Sequence, residues 1–233
     1  MVALGMMVVG WVLFAWVSRV VMRNPRGDVL TGVVYHAVRA YAALVHRVRI
    51  VGRAHVPAER IPGPLIVVCN HTAGVDPLLV SSAVPFEVRW MMGRDMMSPR
   101  FRAIWAWTRV IPVNRKGRDV TSAREALRVL NEGGVVGVFP EGRLERPPGR
   151  LLPFHSGVGL LIARSGAPVM PIWITGTPQV DPAWRSLVRR STSRLTIGPL
   201  MRFEPGQTPQ AITADLVAWF RDVSGWSGGG PGG

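Results

Sequence analysis

Residues 70–77 read NHTAGVDP and come directly after an apolar run, PLIVVC. Asn, His and Asp are poor strand formers, and Gly and Pro break strands, so the run reads as a strand that stops at Asn70. The residues beyond the stop are chemically useful. A histidine titrates near neutrality and can exchange a proton at either ring nitrogen. Asp76, just before a proline suited to the first helical turn, could bond one nitrogen of His71 and support the imidazolium formed when the other takes a proton. A general base of that kind contributes roughly 10²–10⁴ in rate. The same residues also suit an aspartate that caps a helix beside an incidental histidine. Between the two side chains, Gly74 is expected to permit the reversal of the chain.

A second stretch ends in the same manner. GVVGVFPEGR (134–143) is an apolar strand broken by Pro-Glu-Gly, presenting Glu141 and Arg143 with Arg146 and Arg150 beyond. Arginine's planar fork suits a phosphate, although a solvated Arg-rich loop has the same composition. Both turns fall beyond the carboxyl end of a strand, where open α/β sheets bind ligands. Cys69 stands two residues before His71, so a thiol nucleophile is a rival to the base; the other reading is a small buried strand residue. His71, Asp76 and His155 lack any ligand-spacing signature, and no zinc pattern occurs, so no metal is expected.

The elements that must position these residues alternate from Pro64 onward. PLIVVC (64–69), VRWMMG (88–93), VVGVF (135–139) and PVMPIWIT (168–175) read as strands. LLVSSAVP after Pro77, TSAREALRVLNEGG (121–134) and GVGLLIARSG (157–166) read as helices. In the second of these, Ser122 and Glu125 form a capping box, Ala126, Leu127 and Leu130 an apolar stripe, and Gly133 the stop. The alternation predicts an α/β fold, a sheet with helices on its faces.

The N-terminal run MVALGMMVVGWVLFAWV carries no charge, and Arg19, Arg23 and Arg26 come after it. It just reaches the length of a bilayer span, and basic residues on its C-terminal side predict an uncleaved anchor with the bulk of the chain on the cytoplasmic face of the cell membrane. Val29 to Gly52 then reads as one amphipathic helix: Leu30, Val33, Val34, Ala37, Val38, Tyr41, Leu44, Val45 and Val48 on one side, Arg39, His46, Arg47 and Arg49 on the other. Such a helix suits a membrane interface, and equally a helix packed on a core. The organisation expected is therefore an anchor over 1–50, one domain over 51–222, and a disordered Gly-rich tail over 223–233. The formal net charge of +14 suits a polyanion. The arginines are spread out without a helix-turn-helix, RNP or zinc pattern, so anionic lipid is favoured over nucleic acid.

At this point the residues resemble a family. NHTAGVD (70–76) resembles the NHx₄D signature of the glycerolipid acyltransferases, the 1-acylglycerol-3-phosphate acyltransferase type, and FPEG (139–142) resembles their FPEG-T-R block. VIPVNR (110–115) and PFHSGVGLLIARSGAPVMPIWITG (153–176) resemble two further blocks, in family order. The resemblance implies a mixed sheet flanked by helices behind a helical membrane anchor. It also implies transfer of a fatty acyl group from a thioester, on CoA or acyl carrier protein, to the hydroxyl of a lysophospholipid, with 1-acyl-sn-glycerol-3-phosphate foremost and no cofactor. His71 would deprotonate the acceptor, Asp76 would orient His71, and attack would be direct, without an acyl-enzyme. Arg115, Glu141 and Gly142 fall on positions the family assigns to acceptor binding. Arg143 carries the guanidinium one residue earlier than the family does, with Leu144 in the family's arginine position. Another lysolipid acceptor, or a membrane-tethered module without activity, are the alternatives.

Overall fold

A computed structural model describes residues 2–115 and 119–225. Along the chain run α1 (Val2–Met22), α2 (Val29–Leu44), β1 (Arg49–Val51), β2 (Leu65–Cys69), α3 (Asp76–Ala83), β3 (Val88–Gly93), α4 (Arg102–Thr108), β4 (Ile111–Val113), α5 (Val120–Asn131), β5 (Val135–Val138), α6 (Gly157–Ser165), β6 (Val169–Thr175), β7 (Arg194–Ile197) and α7 (Pro209–Ser224). The strands form one sheet in the order β1-β7-β6-β2-β5-β3-β4. β6, β2, β5, β3 and β4 are parallel, and β7 runs antiparallel to β6. The sheet is mixed, as expected.

β2 is apolar throughout because it lies in the middle of this sheet with both faces covered. All five of its residues are buried. On one face Ile66 and Val68 meet Ala126 and Leu130 of α5, Ile162 of α6 and Leu216 and Phe220 of α7. On the other, Leu65, Val67 and Cys69 meet Val80 and Ala83 of α3. Five parallel strands thus end at one edge, and the turns after β2 and β5, which are hydrogen-bonded neighbours, must lie side by side.

Three helical expectations change in detail. The amphipathic helix stops at Leu44, not Gly52, and Arg49–Val51 instead pairs with β7 as a parallel strand, so the sheet begins before residue 51. His46, assigned to the polar side, is wholly buried: its ring nitrogens bond Tyr41 Oη at 2.8 Å and Ser191 Oγ at 2.7 Å. A histidine that can satisfy both nitrogens internally tolerates burial, and periodicity cannot see those partners. In α5 the N-cap is Asp119, whose carboxylate accepts from Ser122 N at 3.0 Å, while Glu125 pairs with Arg128 at 2.6 Å; the Ser122–Glu125 capping box does not form.

α1 exposes its apolar surface from Ala3 to Val17, with Trp11 67% and Phe14 64% exposed. It is long and apolar enough to cross a membrane. His36 of α2 bonds the Val20 carbonyl at 2.8 Å and fixes α2 against it. α2 buries Thr31, Gly32 and Ala42 and leaves Val29, Val33, Ala37, Ala40 and Leu44 exposed, an apolar stripe at helical spacing. The expected disordered tail lies, from residue 226, outside the described residues; Val223 and Ser224 close α7.

Candidate active site

The turn after β2 is built around one carboxylate. Asp76 is wholly buried. Its Oδ2 accepts from the backbone N–H groups of Thr72 at 2.7 Å and Ala73 at 2.8 Å, and from His71 Nδ1 at 3.0 Å. Because a carboxylate oxygen only accepts, Nδ1 carries a hydrogen, and in the neutral ring Nε2 is then the acceptor. The His71 side chain keeps 19% exposure. His71 and Asp76 therefore meet, and Asp76 both closes the turn and orients the ring. Thr72 Oγ1 bonds Thr177 Oγ1, which ties the turn to the loop after β6.

Gly74 serves a purpose other than the expected reversal. Its φ is not positive, and a Cβ there would stand 2.7 Å from the Ala183 carbonyl oxygen. The residue is glycine because the 176–187 loop presses on the turn.

Asn70 completes the end of β2. Its side-chain amide donates to the Ile174 carbonyl at 3.0 Å and accepts from the Ile174 N–H at 2.7 Å. The side chain thus continues the β2–β6 ladder after the backbone has left it. Sequence reasoning gave Asn70 no role. The signal was an asparagine at the end of a buried strand, where only a side chain bonding like a peptide would be tolerated.

Glu141 lies beneath the turn with 2% exposure. Its Oε1 accepts from His71 N at 3.1 Å and its Oε2 from Leu152 N at 3.2 Å. The His71 carbonyl accepts in turn from Glu145 N at 2.7 Å. Both backbone groups of the histidine are thereby pinned to the loop beyond β5. Burial pushes Glu141 up to about 8, against the two backbone N–H bonds that pull it down. Burial also raises Glu145, which is nearly inaccessible and accepts from the N–H groups of Gly149 and Arg150.

The ring of His71 rests on a column of aromatics. Phe139 stacks on it at 4.0 Å between centroids, and Trp90 stacks on Phe139 at 4.8 Å. Trp90 is paired across the sheet with Gly137, where any Cβ would collide with the indole ring. Neither aromatic was singled out from the sequence. The hint was a bare Gly in the middle of an otherwise β-branched strand, a sign of close approach. Gly142, at φ +67°, has His155 Nε2 2.8 Å from where its Cβ would be.

The arginines divide. Arg146 spends its guanidinium inside the protein, on the carbonyls of Thr72 at 3.2 Å, Glu145 at 2.7 Å and Val180 at 3.4 Å, and on Asp181 at 3.4 Å. Arg143 is exposed and makes no side-chain hydrogen bond or ion pair among the described residues. Arg115 lies two residues past β4 and pairs with Asp95 at 3.4 Å; both are substantially exposed. β4 is the third neighbour of β2, about 14 Å away at the usual strand spacing. The structure thus brings His71, Asp76 and Glu141 into direct contact and stations Arg115 farther along the same edge.

Cys69 faces the apolar cluster with Val80 and Phe86, and burial raises its thiol well above the ordinary range. Among the described residues no three His, Cys, Asp or Glu side chains converge as metal ligands, so His155 does not join His71 and Asp76.

With this geometry in view, the comparisons with known proteins are specific. A family model described as Acyltransferase matches residues 47–175, a range that contains the turn, the aromatic column and both glutamates. The chain belongs to the acyltransferase family. A relative from Bacillus subtilis named 1-acyl-sn-glycerol-3-phosphate acyltransferase is 21% identical over 167 residues, 70% of this chain and 78% of the relative. One of the same name from Limnanthes douglasii is 30% identical over 124 residues, 52% of this chain and 43% of the relative. An N-acylphosphatidylethanolamine synthase from Arabidopsis thaliana is 32% identical over 126 residues, 49% of this chain and 44% of the relative. The acyltransferase described here thus spans less than half the length of these plant relatives. Its fold is shared with the crystal structure of the 1-acyl-sn-glycerophosphate acyltransferase PlsC from Thermotoga maritima, at TM-score 0.62 and 22% identity over 83% of this chain and 81% of that one.

Proposed function

We propose that this acyltransferase moves a fatty acyl group from a thioester, on CoA or acyl carrier protein, to the free hydroxyl of a membrane lysophospholipid, with 1-acyl-sn-glycerol-3-phosphate giving phosphatidic acid as the first substrate to test. The observation that carries the reading is the His71–Asp76 pair at the carboxyl end of β2, with Nδ1 committed to the carboxylate and Nε2 the acceptor of the neutral ring. Nε2 takes the proton from the acceptor hydroxyl as its oxygen attacks the thioester carbonyl. The tetrahedral intermediate collapses with loss of the thiolate, and the thiolate recovers the proton from the imidazolium, so the enzyme ends as it began. Asp76 stabilises that imidazolium without taking its proton.

Arg115 and Arg143 supply exposed guanidinium groups on the same sheet edge for the acceptor phosphate, as the names of several relatives suggest. The bare apolar surface of α1 supports a membrane anchor, and Arg19, Arg23 and Arg26 at its C-terminal end support a catalytic domain on the cytoplasmic side. Purified protein incubated with mixed lysolipids and acyl-CoA or acyl carrier protein, with mass spectrometry of the lipids afterwards, tests the reading. A new diacyl phospholipid that depends on His71 supports it. Transfer to an amine alone would move the acceptor to another class, and no transfer from either donor would refute it.

A further inference from the structure

Between β3 and β4 the chain carries Met96, Phe101, Ile104, Trp105 and Trp107, yet no residue from 94 to 109 is buried. Phe101 and Ile104 are each 50% exposed and Met96 47%. Exposed arginines at 94, 100, 102 and 109 surround them. Large apolar side chains set among cations, without a core to enter, mark a surface made for something other than water. The segment is also tied to the anchor. Arg26, just beyond the end of α1, donates to the Trp107 carbonyl at 2.6 Å and lies 5.0 Å from the centre of its ring. Arg26 and Arg109 share Glu87, at 2.5 Å and 3.7 Å. The 94–109 segment therefore stands beside the C-terminal end of α1, at the depth where a spanning helix meets headgroups.

We propose that this segment is a second foot on the membrane: Phe101 and Ile104 enter the boundary between headgroups and acyl chains, while the arginines around them lie on anionic headgroups. The inference rests on the reading of α1 as a membrane anchor. Apolar insertion combined with cationic contact is how short interfacial elements bind, each basic residue near an anionic surface adding about 1 kcal/mol. The consequence is geometric. The foot connects β3, which carries Trp90 beneath Phe139 and His71, to β4 and Arg115, so it would hold the mouth of the site against the bilayer in which a lysolipid resides.

The test uses the full chain reconstituted in vesicles of phosphatidylcholine and phosphatidylglycerol, with a fluorescent dye at one introduced cysteine. Cys69 stays in place because it is wholly buried. Three positions are compared: Val9→Cys in α1, Ile104→Cys in the foot and Ala218→Cys on α7, which covers the opposite face of the sheet from α3, against which α2 packs. Nitroxide on the lipid acyl chain near the headgroup should quench the dye at 104 several-fold more than at 218, and less so when phosphatidylglycerol is left out. Quenching at 9 with none at 104 would overturn the foot while leaving the anchor standing. A dye at 104 that lipid nitroxide ignores, but that becomes shielded as protein concentration rises, would assign the face to a second copy and overturn the proposal. Absence of quenching at both 9 and 104 would remove the anchor and the foot together.

Discussion

At the close of β2, His71 is held on four sides and offers only Nε2: its Nδ1 is on Asp76, its N–H on Glu141, its carbonyl on Glu145 N–H, its face on Phe139. At the close of β4, Arg115 touches only an exposed aspartate at 3.4 Å, and Arg143, beyond β5, extends into solvent. The same sheet edge thus carries a region fixed by internal bonds and a region of exposed, loosely held charge. The base proposed above must be aimed to within a fraction of an ångström, which calls for geometry set by folding. A charge that meets a phosphate can be ordered on binding, because a long cationic side chain reaches over many positions. The difference teaches where substitutions should act: on turnover at β2, on acceptor affinity at the rim.

The largest effect is expected at the fixed end. His71→Ala should abolish acyl transfer with the fold and membrane attachment intact. Asp76→Asn should fall by orders of magnitude, since its NH₂ can face Nδ1 and favour the wrong tautomer. The double variant should be scarcely worse than His71→Ala, because the pair acts as one unit. Single-turnover rates on folded variants measure all three. The structure makes Val75, not Asp76, the N-cap of α3; if Asp76 only held the turn, an asparagine oxygen could still accept from the Thr72 and Ala73 N–H groups, and a normal rate in Asp76→Asn would break the comparison.

Next comes Glu141→Gln. The NH₂ of a side-chain amide cannot accept where a carboxyl oxygen can, so either the His71 or the Leu152 N–H loses its partner, at a cost of about 1–3 kcal/mol. The expected result is a lower kcat with an unchanged acceptor KM, which separates positioning of the histidine from acceptor binding. Glu141 also gives a pH signature. Its pKa of about 8 in the folded chain lies above its ordinary value of 4.5, so the folded state holds that proton more tightly than the unfolded state. Stability is then fullest below about 4.5 and declines as pH rises towards 8. Denaturant midpoints across that range should slope downward in the native chain and more shallowly in Glu141→Gln. Equal slopes would show that the buried carboxyl does not set this dependence.

Smaller effects belong to the rim. Arg115→Ala should raise acceptor KM by the equivalent of about 1.5–3 kcal/mol, the worth of one charge-assisted contact, with the acyl-donor KM nearly unchanged. Arg143→Ala should do the same to a lesser degree, since fixing a free arginine costs up to about 2 kcal/mol in side-chain entropy. Steady-state kinetics with the acceptor varied would sharpen the comparison. A fall in kcat alone from either substitution would instead place the rim within the fixed machinery. Last, the full chain should stay with membranes in high salt, because apolar attachment is not screened; sedimentation after a salt wash checks this.

The sequence by itself determined the central strands, the helices after Pro77 and over 157–166 and the location of both turns, and it put His71 and Asp76 within reach of each other while leaving their pairing open against a capping aspartate. These come from short-range rules: apolar runs bounded by breakers, and residues five apart around a proline-started helix. Tertiary structure decided what those rules cannot express. β1 is a strand only because β7 offers it a ladder, and β7 is joined to the body of the sheet only through β6. Gly74 answers to Ala183, Glu141 to Leu152, Asn70 to Ile174 and Gly137 to Trp90. Each of these is a steric or hydrogen-bonding demand made by a distant segment. Spacing along the chain tells which residues can approach one another locally, but hydrogen bonds and close packing are satisfied in space, and only the folded sheet says which partners are there.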